Sequence, residues 1–473
     1  MIKKLYFLAT SFLLTSSFAQ TTCTGGFAGI FPCDKIDLMA RLSFPQMGGT
    51  LATEGNDCWG WTDPLTGKEY ALMGCTSHTA FVDVSNPTAP VYLGKVNSRN
   101  NISSLWRDIK VYNDHAFIVS EAAGHGMQVF DLKRLRNIST PQIFAPDAQY
   151  SGFGNCHNIA INESTGYAYC IGSNTFSGGP HVVNIQNPTS PVFSFGYSDQ
   201  AYTHDAQIVI YNGPDTQHVG KEIYFGANED KVVVLDVTDK NNPILLSSFF
   251  YPNTSYTHQG WLTTNQKYWI VGDEIDELDF GFNTRSIVVD MTNLDNPLLK
   301  TEYIGMTPAI DHNGYTRNNE FYLANYRAGL RLMNTTDINN GNVNEIAYFD
   351  TYPENNNAEF NGAWSNYPYF ASGNILVSDI DRGLFIVRKN AALGTVQHEI
   401  NNTSLSPNPA SFNVTVRSSE VITTIEVFDA VGKRVKSYRD IGANDYEFGV
   451  TDLQSGFYLV KINESTTQKL MIR

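Results

Sequence analysis

One short pattern recurs seven times down this chain: an apolar strand ending in Asp or Asn, a turn with Pro, then a second strand. The copies begin at Thr79, Gly126, Pro180, Lys231, Arg285, Gly329 and Gly383, and include TAFVDVSNPTAPVYLGKV and KVVVLDVTDKNNPILLSSF. A pattern repeated at a steady period makes one supersecondary unit per copy, and no unit buries its apolar face alone, so the copies must stack. Two more strand-like stretches precede each copy, as in WRDIKVY then HAFIVSE, or HQGWLTT then KYWIVGD. Four strands in a unit of about 45 to 54 residues make the blade of a propeller. Helical periodicity is missing throughout.

Composition supports an all-β chain. Aromatics are 12%, Gly 37 and Tyr 25, with only 17% charged residues, which suits short strands joined by tight turns. At 473 residues the chain exceeds the limit of about 250 to 300 for one core. The predicted architecture is a seven-bladed β-propeller over 20–390, a polar linker over 391–403 and a small C-terminal β-sandwich over 404–473. The seventh copy stops at Lys389 with no outer strand following it. An unpaired edge invites aggregation, so the segment IDLMARL, Ile36 to Leu42, is expected to close blade seven.

The chain opens with a basic Met1-Ile2-Lys3-Lys4, an apolar run from Leu5 to Leu14 and the small-residue exit Ser17-Phe18-Ala19. These features predict a secretory leader over 1–19. The run is too short for a membrane span, and no other segment could make one in the mature chain. A net charge of −15 would repel phosphate backbones, so nucleic acid is not an expected partner. Export makes the six cysteines candidates for disulfides. Their spacing favours three local staples, Cys23 with Cys33, Cys58 with Cys75 and Cys156 with Cys170. No C-x-x-C spacing points to a thiolate metal site.

The tail alternates apolar and polar residues between Gly-containing turns and carries Ser406-Pro407-Asn408-Pro409, VFDAVGKRV, Leu453-Gln454-Ser455-Gly456-Phe457-Tyr458 and a terminal Lys469 and Arg473. It resembles the type A C-terminal sorting domain of the Bacteroidetes type IX secretion system. That resemblance implies the type IX machinery as a partner, passage through the periplasm, and delivery to the outer-membrane surface or the medium. An Ig-like carbohydrate module is the competing reading of the tail. The propeller carries WRDIKVY, SEAAGHGMQVFDL, YTHDAQ, YTHQGWL, DHNGY, NYRAGLRL and SDIDRGLFIVR. Through these it resembles the secreted choice-of-anchor B proteins built from LVIVD-type repeats, over about residues 23 to 390. The resemblance implies a shared propeller with variable anchors and no particular reaction.

In a propeller, residues that begin each innermost strand line the mouth of the central channel. Those positions are assigned to Trp59, Arg107 with Asp108, His157 with Asn158, His204 with Asp205, His258 with Gln259, His312 with Asn313, and Asn361 with Gly362. Four histidines at one repeated position converge in space, and converging imidazoles suit a transition metal. The competing reading is hydrogen bonding between blades. Loops after each second strand should overhang the same face and contribute Glu121, His125, Asp273, Glu274, Arg327 and Arg382. Such a funnel could hold Ca²⁺, supply an acid or base from Glu121, Asp205 or Asp273, or bind an anionic ligand through Arg107, Asp108, His125, Asn313, Arg327 and Arg382. The acidic stretch Asp273 to Asp279 lacks the spacing of a Ca²⁺ loop, and a solvated acidic loop is its competing reading. No G-x-S-x-G, H-E-x-x-H, Walker or dinucleotide signature is present. The function expected is extracellular ligand binding at the channel mouth, through a divalent metal held by His157, His204, His258 and His312. The alternative is a metal-dependent hydrolase or oxidoreductase using the same funnel.

Overall fold

The computed structural model describes residues 20–390, 404–429, 432–463 and 466–473. The leader read over 1–19 and the linker read over 391–403 lie outside them. The chain divides into two units at Asn390.

In the first unit, seven sheets follow one another along the chain, antiparallel except that Gln142–Phe144 runs parallel to Val91–Asn97 at the edge of the first. The fourth shows why these residues form blades. Its strands are Asp205–Ile210, Glu222–Asn228, Lys231–Asp236 and Ile244–Phe249. Lys231–Asp236 reads KVVVLD, with no apolar-polar alternation, because both of its faces are covered. Val232 and Val234 pack with Val271, Ile287 and Val289 of the fifth blade, while Val233 and Leu235 pack with Tyr169, Ile171 and Val182 of the third. Each β-branched run thus seals two inter-blade cores at once. In six blades the pairing of the two outer strands slips by one residue, at Phe81/Val82, Val182/Val183, Val234/Leu235, Val288/Val289, Leu332/Met333 and Leu38/Ala40. A bulge at this place adds twist to the outer half of each blade.

The ring is closed by the N-terminus. Blade seven consists of Ala363–Tyr367, Asn374–Asp379 and Gly383–Lys389, and Ile36–Leu42 supplies its outer strand, with Ile36 opposite Lys389 and Leu42 opposite Leu384. Just upstream, Phe31–Asp34 adds to blade six along Asn344–Phe349.

One expectation about cysteines is corrected. Cys23 and Cys33 form a disulfide, but Cys58, Cys75, Cys156 and Cys170 are free and buried. Strand register accounts for Cys58 with Cys75. Cys58 lies opposite Met73, so Cys75 is its diagonal neighbour, and diagonal Cβ atoms stand roughly 7 Å apart against about 4 Å in a disulfide. Cys156 and Cys170 do meet side by side in one core, their thiols in hydrogen-bond contact with no bond between the sulfurs. The Cys156 thiol donates instead to carbonyl oxygens of Asn158 and Ile171 at 3.1 and 3.2 Å.

A ring of polar side chains fills the channel inside the mouth. It comprises Asp57, Asp108, Asn158, Asp205, Gln259, Asn313 and Ser365, all buried. Lys110 donates to Asp108 at 2.6 Å, Asn313 to Asp57 at 3.1 Å and Asn158 to the carbonyl of His204 at 2.9 Å. Burial tends to lower Lys110, but Asp108, Asp57 and Asp205 outweigh it and hold the ammonium charged. Asp108, Asp205 and Asn313, which the sequence suggested for chemistry or ligand binding, are thus engaged in joining blades.

The second unit comprises Ser404–Ser406, Asn413–Asp429, Arg434–Gly449, Gly456–Ile462 and Thr466–Ile472. The long strand Asn413–Asp429 slips register between Arg417 and Ile422. Val414 and Val416 before the slip and Ile425 and Val427 after it share one core with Tyr458, Val460 and Leu470. The sheet folds over that core as a small β-sandwich.

Among described residues, no helix is long and apolar enough to cross a membrane.

Two measurements check these placements. Alkylation of the denatured, unreduced protein should label Cys58, Cys75, Cys156 and Cys170 and leave Cys23 and Cys33 unlabelled, as read by peptide mass spectrometry. Burial raises Asp205 from the ordinary 3.8 to about 7. The folded state therefore binds this proton more tightly than the unfolded chain, and the group's contribution to stability falls as pH rises between those values. Asp205→Asn removes that loss, so its unfolding free energy minus that of the wild type, from denaturant titrations, should climb from about pH 4 to about pH 8, by roughly 4 kcal/mol at most.

Candidate functional site

Backbone register decides which side chains reach the mouth. In blade three Asn158 lies opposite Ile171, and in blade four Asp205 lies opposite Ala227, so His157 and His204 stand one residue before their inner strands. In blade five a bulge between Thr257 and Gln259 turns out His258. In blade six His312 donates its backbone N–H to the carbonyl of Ala324. The four imidazoles form an arc, with ring centroids 4.3 Å apart from His157 to His204, 4.1 Å to His258 and 4.3 Å to His312. Trp364 continues the arc at 4.7 Å.

The mouth residues of blades one and seven differ from those assigned by sequence. Bulges between Gly55 and Cys58 and between Ala363 and Ser365 place Asn56 with Asp57, and Trp364 with Ser365, at the repeated positions. Trp59 lies two residues deeper and lines a different cavity with Lys110, Gln207 and Trp261. Asn361 holds Arg327, accepting from its Nε at 3.2 Å and its Nη2 at 2.6 Å, and Gly362 donates its backbone N–H to Asp381.

Three of the four imidazoles are oriented through Nδ1. His204 Nδ1 lies 3.0 Å from the carbonyl oxygen of His258, His312 Nδ1 lies 2.5 Å from that of Trp364, and His157 Nδ1 lies 2.7 Å from a Glu121 carboxylate oxygen. These partners only accept, so each neutral ring carries its proton on Nδ1 and leaves the Nε2 lone pair free. His258 Nδ1 is buried without a partner. Burial, aided by the neighbouring imidazoles, holds His204 and His258 well below the usual range, and burial lowers His312 to about 3.

Glu274 completes the cluster. Its two carboxylate oxygens stand 3.6 Å from His258 Nε2 and 3.6 Å from His312 Nε2, and it accepts from the Tyr326 hydroxyl at 2.7 Å. Burial raises it to about 7, against the pull of the Tyr326 hydrogen bond. One ligand atom from each of His258, Glu274 and His312 lies within 4.8 Å of the others, a spacing that could hold a metal ion. A cavity of about 330 Å³ opens over them, walled by Trp106, Tyr326, Phe360 and Trp364.

Other residues singled out from sequence lie elsewhere. Asp273 is buried and accepts from the Tyr251 hydroxyl and from the backbone N–H groups of Ser255 and Tyr256, so its neighbour Glu274 takes the place at the mouth. Arg107 is buried, donating to the Cys75 carbonyl and Ser98, with His125 against its third nitrogen. Neither Arg107 nor His125 lines the cavity. Arg327 pairs with Glu359 and Arg382 with Glu354, and both guanidiniums stack on Tyr352. Sequence reasoning placed Glu274 among the overhanging loops without choosing it. Its signal was its position just past a strand end that reads into the core.

Among solved structures, the chain is similar to PorZ of Porphyromonas gingivalis, described as an essential bacterial surface component of the type IX secretion system, with 12% identity and a TM-score of 0.47. That match covers 88% of this chain and 59% of PorZ, so the chain spans under two thirds of that protein's length. The Cps50 (Swd1) β-propeller of Myceliophteria thermophila matches at 8% identity and a TM-score of 0.46, over 71% of this chain and 99% of that one. A Lactobacillus plantarum protein matches at 12% and 0.46, over 84% and 98%. No curated protein sequence matches the chain. Residues 404–473 match the family model of the secretion system C-terminal sorting domain, so the chain ends in a sorting signal for export to the cell surface or beyond.

Proposed function

We propose that the propeller is an extracellular binding module of the choice-of-anchor B type. In this reading a transition metal held by His258, Glu274 and His312 captures the ligand at the channel mouth. One observation carries it: one ligand atom from each of His258, Glu274 and His312 lies within 4.8 Å of the others, and an acceptor on Nδ1 sets the His312 tautomer so that its Nε2 is the free donor nitrogen. Carbonyls and carboxylates bonded to the far nitrogen are the usual orienting partners of metal-bound imidazoles. Two nitrogens and a carboxylate would leave coordination positions open, as ligand-accepting zinc sites do, and zinc, copper or iron suits such donors. The aromatic walls would take an apolar body while its metal-binding head group completes the coordination shell. A second reading, metal-dependent catalysis, is favoured by Glu121, a partly exposed carboxylate on His157 that could relay a proton.

Elemental analysis of the purified chain after mild dialysis, followed by zinc titration of the stripped protein, tests the proposal. One equivalent of metal is expected, with affinity reduced about a hundredfold or more in both His258→Ala and His312→Ala. Substoichiometric metal that neither change affects would sink both readings. A metal-loaded protein that turns over ester, lactone or phosphoester substrates, and loses that activity in Glu121→Gln, would favour catalysis over binding.

A further inference from the structure

The imidazoles stand where the inner strands begin, and a different surface lies where those strands end. A cavity of about 460 Å³ is walled there by Trp59, Trp261 and Tyr367, from the inner strands Gly55–Thr62, Thr257–Leu262 and Ala363–Tyr367, together with Tyr369, Gln207 and Glu163. A second cavity of about 340 Å³, lined by turns of blades five and six, shares Thr263 and Thr264 with the first and adds Asn318, Asn319 and Asn339. None of these residues lines the cavity over the imidazoles, so the two openings belong to opposite ends of the channel.

The aromatic wall is set before any ligand arrives. Buried Tyr315 stands edge-on to Trp59 at 5.6 Å and to Trp261 at 4.8 Å, and Tyr367 stands edge-on to Trp59 at 5.1 Å and to Tyr369 at 5.3 Å. Trp261, Tyr367 and Tyr369 stay half-buried at the cavity wall. The polar groups beside them are unspent. Gln207 gives its carbonyl oxygen to the backbone N–H of Leu262 at 2.8 Å and keeps its amide N–H donors. Among the described residues, neither the Glu163 carboxylate nor the Tyr367 hydroxyl has a hydrogen-bond partner.

Charge disfavours two ligand classes. Trp59 already carries the Lys110 ammonium 4.7 Å from its ring centre, so a second cation there would meet a like charge. An anion would meet Glu163 and, among the described residues, no Lys or Arg in the wall of either cavity. A neutral ligand with apolar ring faces and hydroxyls around its rim suits this lining: the faces pack on indole and phenol rings, and the hydroxyls pair with amides and Thr hydroxyls. We propose that this end of the channel binds a neutral oligosaccharide, with one sugar ring against Trp261 and Tyr367 and the chain continuing past Thr264 into the Asn-lined cavity.

The test titrates the full chain with cellohexaose, mannohexaose, xylohexaose and laminarihexaose, and with acidic oligogalacturonate and cationic chitosan oligomers as charged controls, by calorimetry and tryptophan fluorescence. The expected result is saturable binding of at least one neutral member, with a fluorescence change and weaker binding of the charged ones. Trp261→Ala and Tyr367→Ala should each weaken binding roughly tenfold or more. His258→Ala should bind the sugar as the wild type does, which separates this site from the imidazole cluster. If the aromatic variants do not fold, Thr264→Trp, at an exposed position that joins the cavities, should abolish binding by filling the junction. No saturable binding of any neutral member, binding of charged members alone, loss of binding in His258→Ala, or binding unchanged in Thr264→Trp and in every folded aromatic variant overturns the proposal.

Discussion

The pairing of Ile36–Leu42 with Gly383–Lys389 holds the rest of the propeller in place. A ring of blades has no intrinsic end, and each sheet is stable because neighbours cover both of its faces. The N-terminal segment supplies more than hydrogen bonds. Met39, Ala40 and Leu42, with Phe44 and Met47 of the following turn, share a core with Met73 and Val82 of blade one and Leu376 and Ile386 of blade seven. Ile36 and Phe31 share another with Leu330 and Leu332 of blade six and Val377 of blade seven. His78 Nε2 meets the Met47 carbonyl at 3.1 Å, on the blade-one side of the seam. One stretch of about a dozen side chains therefore seals three blades, and its first turns are tied down by the Cys23–Cys33 bridge.

Closure explains why the mouth is asymmetric although the blades repeat. Equivalent positions carry imidazoles in four consecutive blades, an indole in blade seven and a buried guanidinium in blade two. The result is an arc rather than a ring, with donors concentrated where blades five and six meet. Beneath it the polar ring around Lys110 carries out the inter-blade hydrogen bonding that was the competing reading of the repeated positions. Mouth and ring divide the labour: the ring joins blades, and three of the imidazoles above keep a lone pair unspent.

The all-β class, the sevenfold repeat and the sorting tail were legible in the sequence, because strand periodicity and turn chemistry are local. The shared position of the four histidines was legible for the same reason. What escaped depended on register. Bulges at Gly55/Cys58 and Ala363/Ser365 moved Asn56 and Trp364 into places that counting gave to Trp59 and Asn361. The diagonal placement of Cys58 and Cys75 is equally invisible without knowing which residues oppose each other. Arg327 and Arg382 looked like anion clamps because their partners Glu359 and Glu354 lie on a loop with no periodic pattern.

The stretch from Asp273 to Glu277 shows how five residues serve three environments. Asp273 ends a strand and turns back to Tyr251, Glu274 reaches the imidazoles, and Asp276 accepts from Arg285. Nitrogen donors mix with a carboxylate at the mouth, whereas Asp276 and Glu277 are buried carboxylates a few residues further along the same loop. The donors that fix Asp273 therefore narrow the positions open to its neighbour Glu274, as the Trp364 carbonyl does for His312.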